Sequence, residues 1–163
     1  MNYKGTSQIN YQIELVRIDS GQYCLTGKII LLFDIGVANY LSRRAPRLGT
    51  PEFGKSFEHY ILMELKAYQA YKNPELDIRY WRTSSGFEVD FILGDMDLAV
   101  EVKGSGRIHH GHTRGLKALQ EEHSIGRTVL VSLEKQPRRV DTAIEVMPWQ
   151  IFLEELWSGG FGV

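Results

Sequence analysis

The stretch YWRTSSGFEVDFILGDMDLAVEVK, Tyr80 to Lys103, reads as strand, turn, strand, tight turn, strand. Tyr80-Trp81-Arg82-Thr83 favours an extended backbone, and Ser84-Ser85-Gly86 is turn chemistry. Phe87 to Leu93 begins as an alternation, with Phe87, Val89 and Phe91 on one face and Glu88 and Asp90 on the other. Gly94-Asp95 turns the chain back. Leu98, Val100 and Val102 then share one face of the next strand, and Ala99, Glu101 and Lys103 the other.

This phasing places Glu101 and Lys103 side by side, with Asp90 on the neighbouring strand. Two carboxylates so placed repel unless a cation sits between them, and oxygen ligands suit magnesium or manganese. The plain alternative is a hairpin with one solvated charged face. Against it, Asp90 and Glu101 each lie inside an apolar β segment, where an unpartnered charge is costly.

Composition sets outer limits. A chain of 163 residues is expected to form one domain with a real core. A net charge of −1 carries no global basic signature, so nucleic-acid contact would rely on local patches. The single cysteine, Cys24, excludes an internal disulfide and suits a reducing cytoplasm. No apolar run approaches membrane-span length, so a cytoplasmic protein without membrane contact is expected.

Upstream, Tyr11–Arg17 alternates weakly and admits a strand, Lys28–Phe33 is a short apolar run, and Asp34 can cap a short helix after it. Ser42–Pro51 reads as loop, with Arg43, Arg44 and Arg47 as a small basic cluster. From Lys55 to Tyr71, Phe57, Ile61, Leu62, Leu65 and Tyr68 keep helical spacing, and Asn73-Pro74 ends the element. Glu58 and Glu64 flank that stripe. After Lys103, a glycine-rich loop over 104–111 leads to a helix at His112–His123. A buried strand is expected at Thr128–Leu133, a loop at Pro137-Arg138-Arg139, a short strand at Ala143–Met147 and a helix at Pro148–Trp157.

Three further signals carry possible chemistry. Gly49-Thr50-Pro51-Glu52-Phe53-Gly54-Lys55-Ser56 satisfies the phosphate-binding pattern G-x-x-x-x-G-K-[ST] and makes a nucleotide-binding protein an alternative. Pro51 removes an N–H that such a loop needs, Glu52 repels phosphate, and no buried strand precedes it, so Gly49–Ser56 is expected to be a loop without nucleotide. His109-His110-Gly111-His112 has three imidazoles able to take a transition metal, although such loops are more often plain surface. Cys24 lacks an evident base and reads as a packed residue.

Gly54-x-x-Phe57-Glu58 opening a helix, then Tyr80-Trp81-Arg82-Thr83-x-x-Gly86-x-Glu88-Val89-Asp90-Phe91, then Val100-Glu101-Val102-Lys103, resembles the PD-(D/E)XK nuclease superfamily. More narrowly it resembles the DUF4143-type C-terminal domain of prokaryotic AAA-type ATPases. The likeness runs from about Ile30 to Trp157. It takes in Leu32-Phe33-Asp34-x-Gly36-Val37-Ala38 before the core and Ile144-Glu145-Val146-Met147-Pro148-Trp149 after it.

The resemblance implies an α/β, restriction-endonuclease-like αβββαβ core with a mixed central sheet flanked by helices, spanning 30–163 behind an N-terminal extension, 1–29. It implies a metal-dependent nuclease hydrolysing phosphodiester bonds, with DNA the expected substrate. Asp90, Glu101 and the Val102 carbonyl would hold Mg2+ or Mn2+, Lys103 would orient or help deprotonate the attacking water, and Glu58 would serve a second metal or a water. Arg107, Arg114 and Lys117, with Arg43, Arg44 and Arg47, would contact nucleic acid. Val89-Asp90 stands where the superfamily has Pro-Asp, which leaves the carboxylate in place. Relatives usually carry an ATPase domain for which this chain has no room, so an AAA-type ATPase partner acting in trans is one expectation. A catalytically silent module binding DNA or such a partner through the same surface is the other.

Overall fold

The computed structural model describes residues 8–10, Gly36, Tyr40, 46–141 and 143–163. The expected strand at Tyr11–Arg17, the run Lys28–Phe33, Cys24, the cap at Asp34, and Arg43 and Arg44 lie outside the described residues.

Strand β1 (Gln8–Asn10) is followed by helix α1 (Pro51–Tyr71) and by strands β2 (Ile78–Arg82), β3 (Glu88–Leu93) and β4 (Leu98–Lys103). A 3-10 turn (His110–Thr113) runs into helix α2 (Arg114–Glu122). Strands β5 (Arg127–Ser132), β6 (Arg138–Val140) and β7 (Ile144–Pro148) and helix α3 (Trp149–Trp157) complete the order. The strands between Ile78 and Pro148 form one mixed sheet, in which β1 pairs with β2 at one edge, in the order β1-β2-β3-β4-β5-β7-β6. Strand β4 is its hinge line, antiparallel to β3 and parallel to β5. The fold is thus α/β, a mixed sheet with helices on both faces.

Helix α1 begins at Pro51, four residues before the expected Lys55, and the loop expected over Gly49–Ser56 is mostly helix. Thr50 caps it, its Oγ1 accepting from Phe53 N at 3.3 Å, and Pro51 occupies the first turn, where its missing N–H costs nothing. The expected apolar stripe, Phe57, Ile61, Leu62, Leu65 and Tyr68, is the buried face. At about 1.5–3 kcal/mol per fully buried large side chain, that face outweighs the roughly 1 kcal/mol cost of Gly54 inside the helix.

Each sheet face has its own core. Phe91, Leu93, Val100, Val102, Val129 and Val131 pack with α1 and α3. Trp81, Val89, Ile92, Ala99, Leu130 and Val146 pack with Leu116 and Leu119 of α2. Val89 and Phe91 therefore serve opposite faces, which corrects the simple alternation. The cause is a β-bulge: Arg79 pairs with Ile92 and Trp81 with Val89, so β3 spends three steps while β2 spends two.

Two boundaries differ at the other edge. Arg138 and Arg139, expected within the loop Pro137-Arg138-Arg139, belong to β6, which pairs antiparallel with β7. Pro148 ends that strand and caps α3 instead of opening it. The first turn of the expected His112–His123 helix is 3-10, and its α-helical part is α2. No described helix is long and apolar enough to cross a membrane.

A candidate carboxylate–lysine site

The bulge sits at Asp90. Backbone pairing between β3 and β4 is registered from Leu93 to Phe91 and stops there. One residue further on, the Asp90 side chain takes over: Oδ2 accepts the Val102 N–H at 2.7 Å. A carboxylate bonded to a strand amide lies close to the plane of the sheet, within reach of both faces. Glu101 alternates with Val100 and Val102, stands beside Leu130 in register, and is buried at 5% exposure. Its Oε1 is ion-paired with the Lys103 ammonium, while Oε2 is buried without a hydrogen-bond partner.

Glu58 comes from the second turn of α1. The start of that helix is seated against the end of β4: a side chain at Gly104 would meet Phe53 at 3.0 Å and the Gly54 Cα at 3.2 Å. A glycine there allows the close approach.

Electrostatics tie the four groups together. Burial, then the Asp90 charge, pushes Glu101 up to about 8. Burial, then Asp90 again, pushes Glu58 up to about 7. Asp90 is also raised, by burial, although Lys103 and the Val102 amide pull it down. Burial disfavours the Lys103 ammonium, but Glu101, Asp90 and Glu58 more than offset this and its pKa ends above the usual value. Asp90 is the carboxylate and Lys103 the cation that act most on both Glu58 and Glu101. Asp90 and Lys103 are therefore the charges that both glutamates share. Lys103, with the exposed Lys55 acting weakly on Glu58, does not neutralise three carboxylates, so the cluster is short of positive charge.

That shortage is the test for a divalent cation. The donors are hard oxygens, Glu101 Oε2 has no protein partner, and burial presses all three acids toward the neutral form. The residues fit such an ion. No three His, Cys, Asp or Glu side chains converge as a ready-made cage among the described residues. A cation here would be held by two carboxylates and a backbone carbonyl, with water completing its shell.

Other expected residues fall into three groups. Arg107 and Arg47 are exposed. Arg114 lies over the Phe87 ring at 5.4 Å, and Lys117 is ion-paired with Asp141. The three loop imidazoles do not form a metal group; instead His109 and His112 stack ring on ring. In the supposed phosphate loop three amides already have partners: Thr50 N donates to Arg47 O at 3.0 Å, Phe53 N to Thr50 Oγ1 at 3.3 Å and Gly54 N to Thr50 O at 3.1 Å, while Pro51 has none to offer.

Several neighbours went unmarked in the sequence. Glu88 is exposed yet adds to the negative field at all three acids. Glu134 and Arg138 hold the loop beyond Lys103: Glu134 Oε1 accepts Ile108 N–H at 2.6 Å, and an Arg138 amino group donates to Ile108 O at 2.9 Å. Only charge spacing, Glu134 four residues before Arg138, hinted at that pair. Two surface cavities among the described residues, one beside β6 and β7 and one around Asp77 and Asp95, are lined by other residues than the cluster's.

Residues 53–152 match the family described as "Domain of unknown function (DUF4143)". No curated protein and no solved structure matches the chain.

Proposed function

We propose that this chain, which belongs to the DUF4143 family, is a metal-dependent nuclease of the PD-(D/E)XK type. The observation that carries the proposal is the cation-deficient group of buried Glu101 with half-buried Asp90 and Glu58 about Lys103, at the point where β3 and β4 part. The element order α1-β2-β3-β4-α2-β5 supports the restriction-endonuclease-like assignment.

Asp90, Glu101 and the Val102 carbonyl would hold Mg2+ or Mn2+. Bound there, the ion would supply charge neutralisation at the phosphate and a more acidic water. Lys103 stays protonated among the acids, so it donates a hydrogen bond to the water or the phosphate, where charge develops during hydrolysis. Asp90, already engaged by the Val102 amide, is fixed in orientation before any ligand arrives. Glu58, contributed by α1 and sensitive to the charges of Asp90 and Lys103, would position a second water or ion. Arg107, Arg114 and Arg47 offer exposed positive charge for the phosphate backbone, and DNA is the proposed substrate.

Cleavage of end-labelled DNA in Mg2+ or Mn2+, with EDTA as control, tests this. Activity in the parent should be lost in EDTA and fall at least roughly a hundredfold in Asp90→Asn, Glu101→Gln and Lys103→Ala. Lys103→Ala should still bind Mn2+, because an ammonium is not a ligand. If the parent binds DNA but cleaves nothing in any divalent cation, the fold acts as a binding module, for DNA or for an ATPase partner.

A further inference from the structure

The His109–His112 pair has no part in the carboxylate chemistry, yet it follows the Lys103 strand directly and His112 feels the Lys103 charge. The backbone makes a 3-10 turn here, His112 N donating to His109 O at 2.9 Å. In that geometry residues i and i+3 eclipse one another. The two imidazoles accordingly stack, with ring centroids 3.7 Å apart and planes at 31°. His112 is the inner ring, half-buried, its Nδ1 enclosed and without a partner. Burial, then His109, then the Lys103 ammonium hold His112 toward its neutral form. His109 is the outer, exposed ring.

The pair is held from both sides. Before it, Ile108 has its N–H taken by Glu134 and its C=O by Arg138, a side-chain pair standing in for a neighbouring strand. After it, Thr113 Oγ1 donates to His110 O at 3.0 Å. Helix α2 then presses so closely on β3 that a Cβ at Gly115 would come within 2.0 Å of Glu88 O, two residues before Asp90. The stack is therefore held on a fixed turn that leads into the helix packed on β3, the strand that carries Asp90, and His112 feels the charge of Lys103.

Resting on the nuclease assignment of that cluster, we propose that the His109–His112 stack is a platform for one unpaired nucleobase, which gives the site a preference for single-stranded nucleic acid. Any base presents a π face, so the contact needs no sequence. A base inside a duplex already stacks on its neighbours and cannot lie on His109. A strand delivered to Lys103 with one base on the platform would have its phosphate presented to Asp90 and Glu101. Arg107 and Arg114, on either side of the turn and both exposed, would take the flanking backbone charge.

The test is binding in EDTA, where cleavage plays no part, of short DNA and RNA strands carrying 2-aminopurine and of the matching duplex. The parent should quench the probe in the single strand and bind it more tightly than the duplex. His109→Ala should weaken single-strand binding about tenfold to a hundredfold and abolish quenching, while duplex affinity holds. His109→Tyr, which restores a flat ring, should restore both. Equal single-strand affinity in parent and His109→Ala, or a tyrosine that fails to rescue, overturns the platform. A parent that quenches the single strand but cleaves nothing in Mn2+ overturns the nuclease assignment and leaves the platform standing as a binding site.

Discussion

The Asp90 carboxylate accepts the backbone N–H of Val102 at 2.7 Å, between two strands whose registered backbone pairing ends one residue before. One side chain thus closes the sheet and carries a charge of the proposed site. The two roles separate by mutation. Asp90→Ala leaves a strand amide without its acceptor and should cost about 1–3 kcal/mol in urea unfolding. Asp90→Asn keeps an acceptor and removes a repelling charge, so in EDTA it should equal or exceed the parent. An alanine variant as stable as the parent would show that the strand end does not depend on this bond.

The metal-free protein should lose stability as pH rises. Glu101 moves from an ordinary 4.5 to about 8 in the fold. Glu58 moves from the same value to about 7. Between the unfolded and folded values the folded state holds more protons than the unfolded one, so unfolding becomes easier with increasing pH. Thermal melts in EDTA should therefore fall from the weakly acidic range through mild alkali, and Glu101→Gln should flatten that slope. Mn2+ added at the alkaline end should restore the melting temperature, because it binds only the assembled carboxylates. A flat profile in the parent would contradict the crowding of these acids.

Two glycines should respond in opposite senses to alanine. Gly54 lies within α1 with nothing within 4 Å of an added Cβ. Gly54→Ala should stabilise by about 0.4–1 kcal/mol through helix propensity and a less disordered unfolded chain. Gly115→Ala would drive a methyl into the Glu88 carbonyl, a backbone atom that cannot swing aside, and should cost roughly 1–3 kcal/mol or more. Denaturant midpoints measure both.

Arg127 ties three elements together. It bonds both carboxylate oxygens of Glu145 on β7, reaches Glu155 on α3 at 2.6 Å, and lies over the Phe161 ring at 4.7 Å. Its side chain is partly exposed, so each ion pair is screened. Together with the ring contact, loss in Arg127→Ala should be roughly 1–2 kcal/mol and smaller at high salt. A change below about 0.3 kcal/mol would mean that these bonds merely replace hydration.

Much of the framework was legible because local and global demands agree. The stripe from Phe57 to Tyr68 could only be a half-buried helix, and Leu98–Lys103 could only be a strand. Strand spacing also put Glu101 and Lys103 on one side of β4, as alternation along that strand has them. The bulge at Asp90 was not legible, because it depends on how many residues β2 supplies opposite β3. The start of α1 was written in Thr50-Pro51 but obscured by an overlapping nucleotide-loop pattern. Arg138–Val140 is polar and strand-like only by virtue of β7 beside it and Glu134 beneath Arg138. The imidazole stack needed a 3-10 turn, which the glycine-rich run 104–111 concealed.

The position of β4, antiparallel to one neighbour and parallel to the other, also bears on how the chain assembles. Its partnership with β3 closes through a short turn, so Asp90, Glu101 and Lys103 come within reach in an early, local event. Its partnership with β5 requires the whole of α2 to form and cross over first, a slower step with a larger loop-closure cost. The acidic hairpin is thus expected to assemble before the second half of the sheet does. During that interval its mutual repulsion works against the nascent structure, and dissolved divalent cations should speed the folding limb of a chevron more than they slow unfolding.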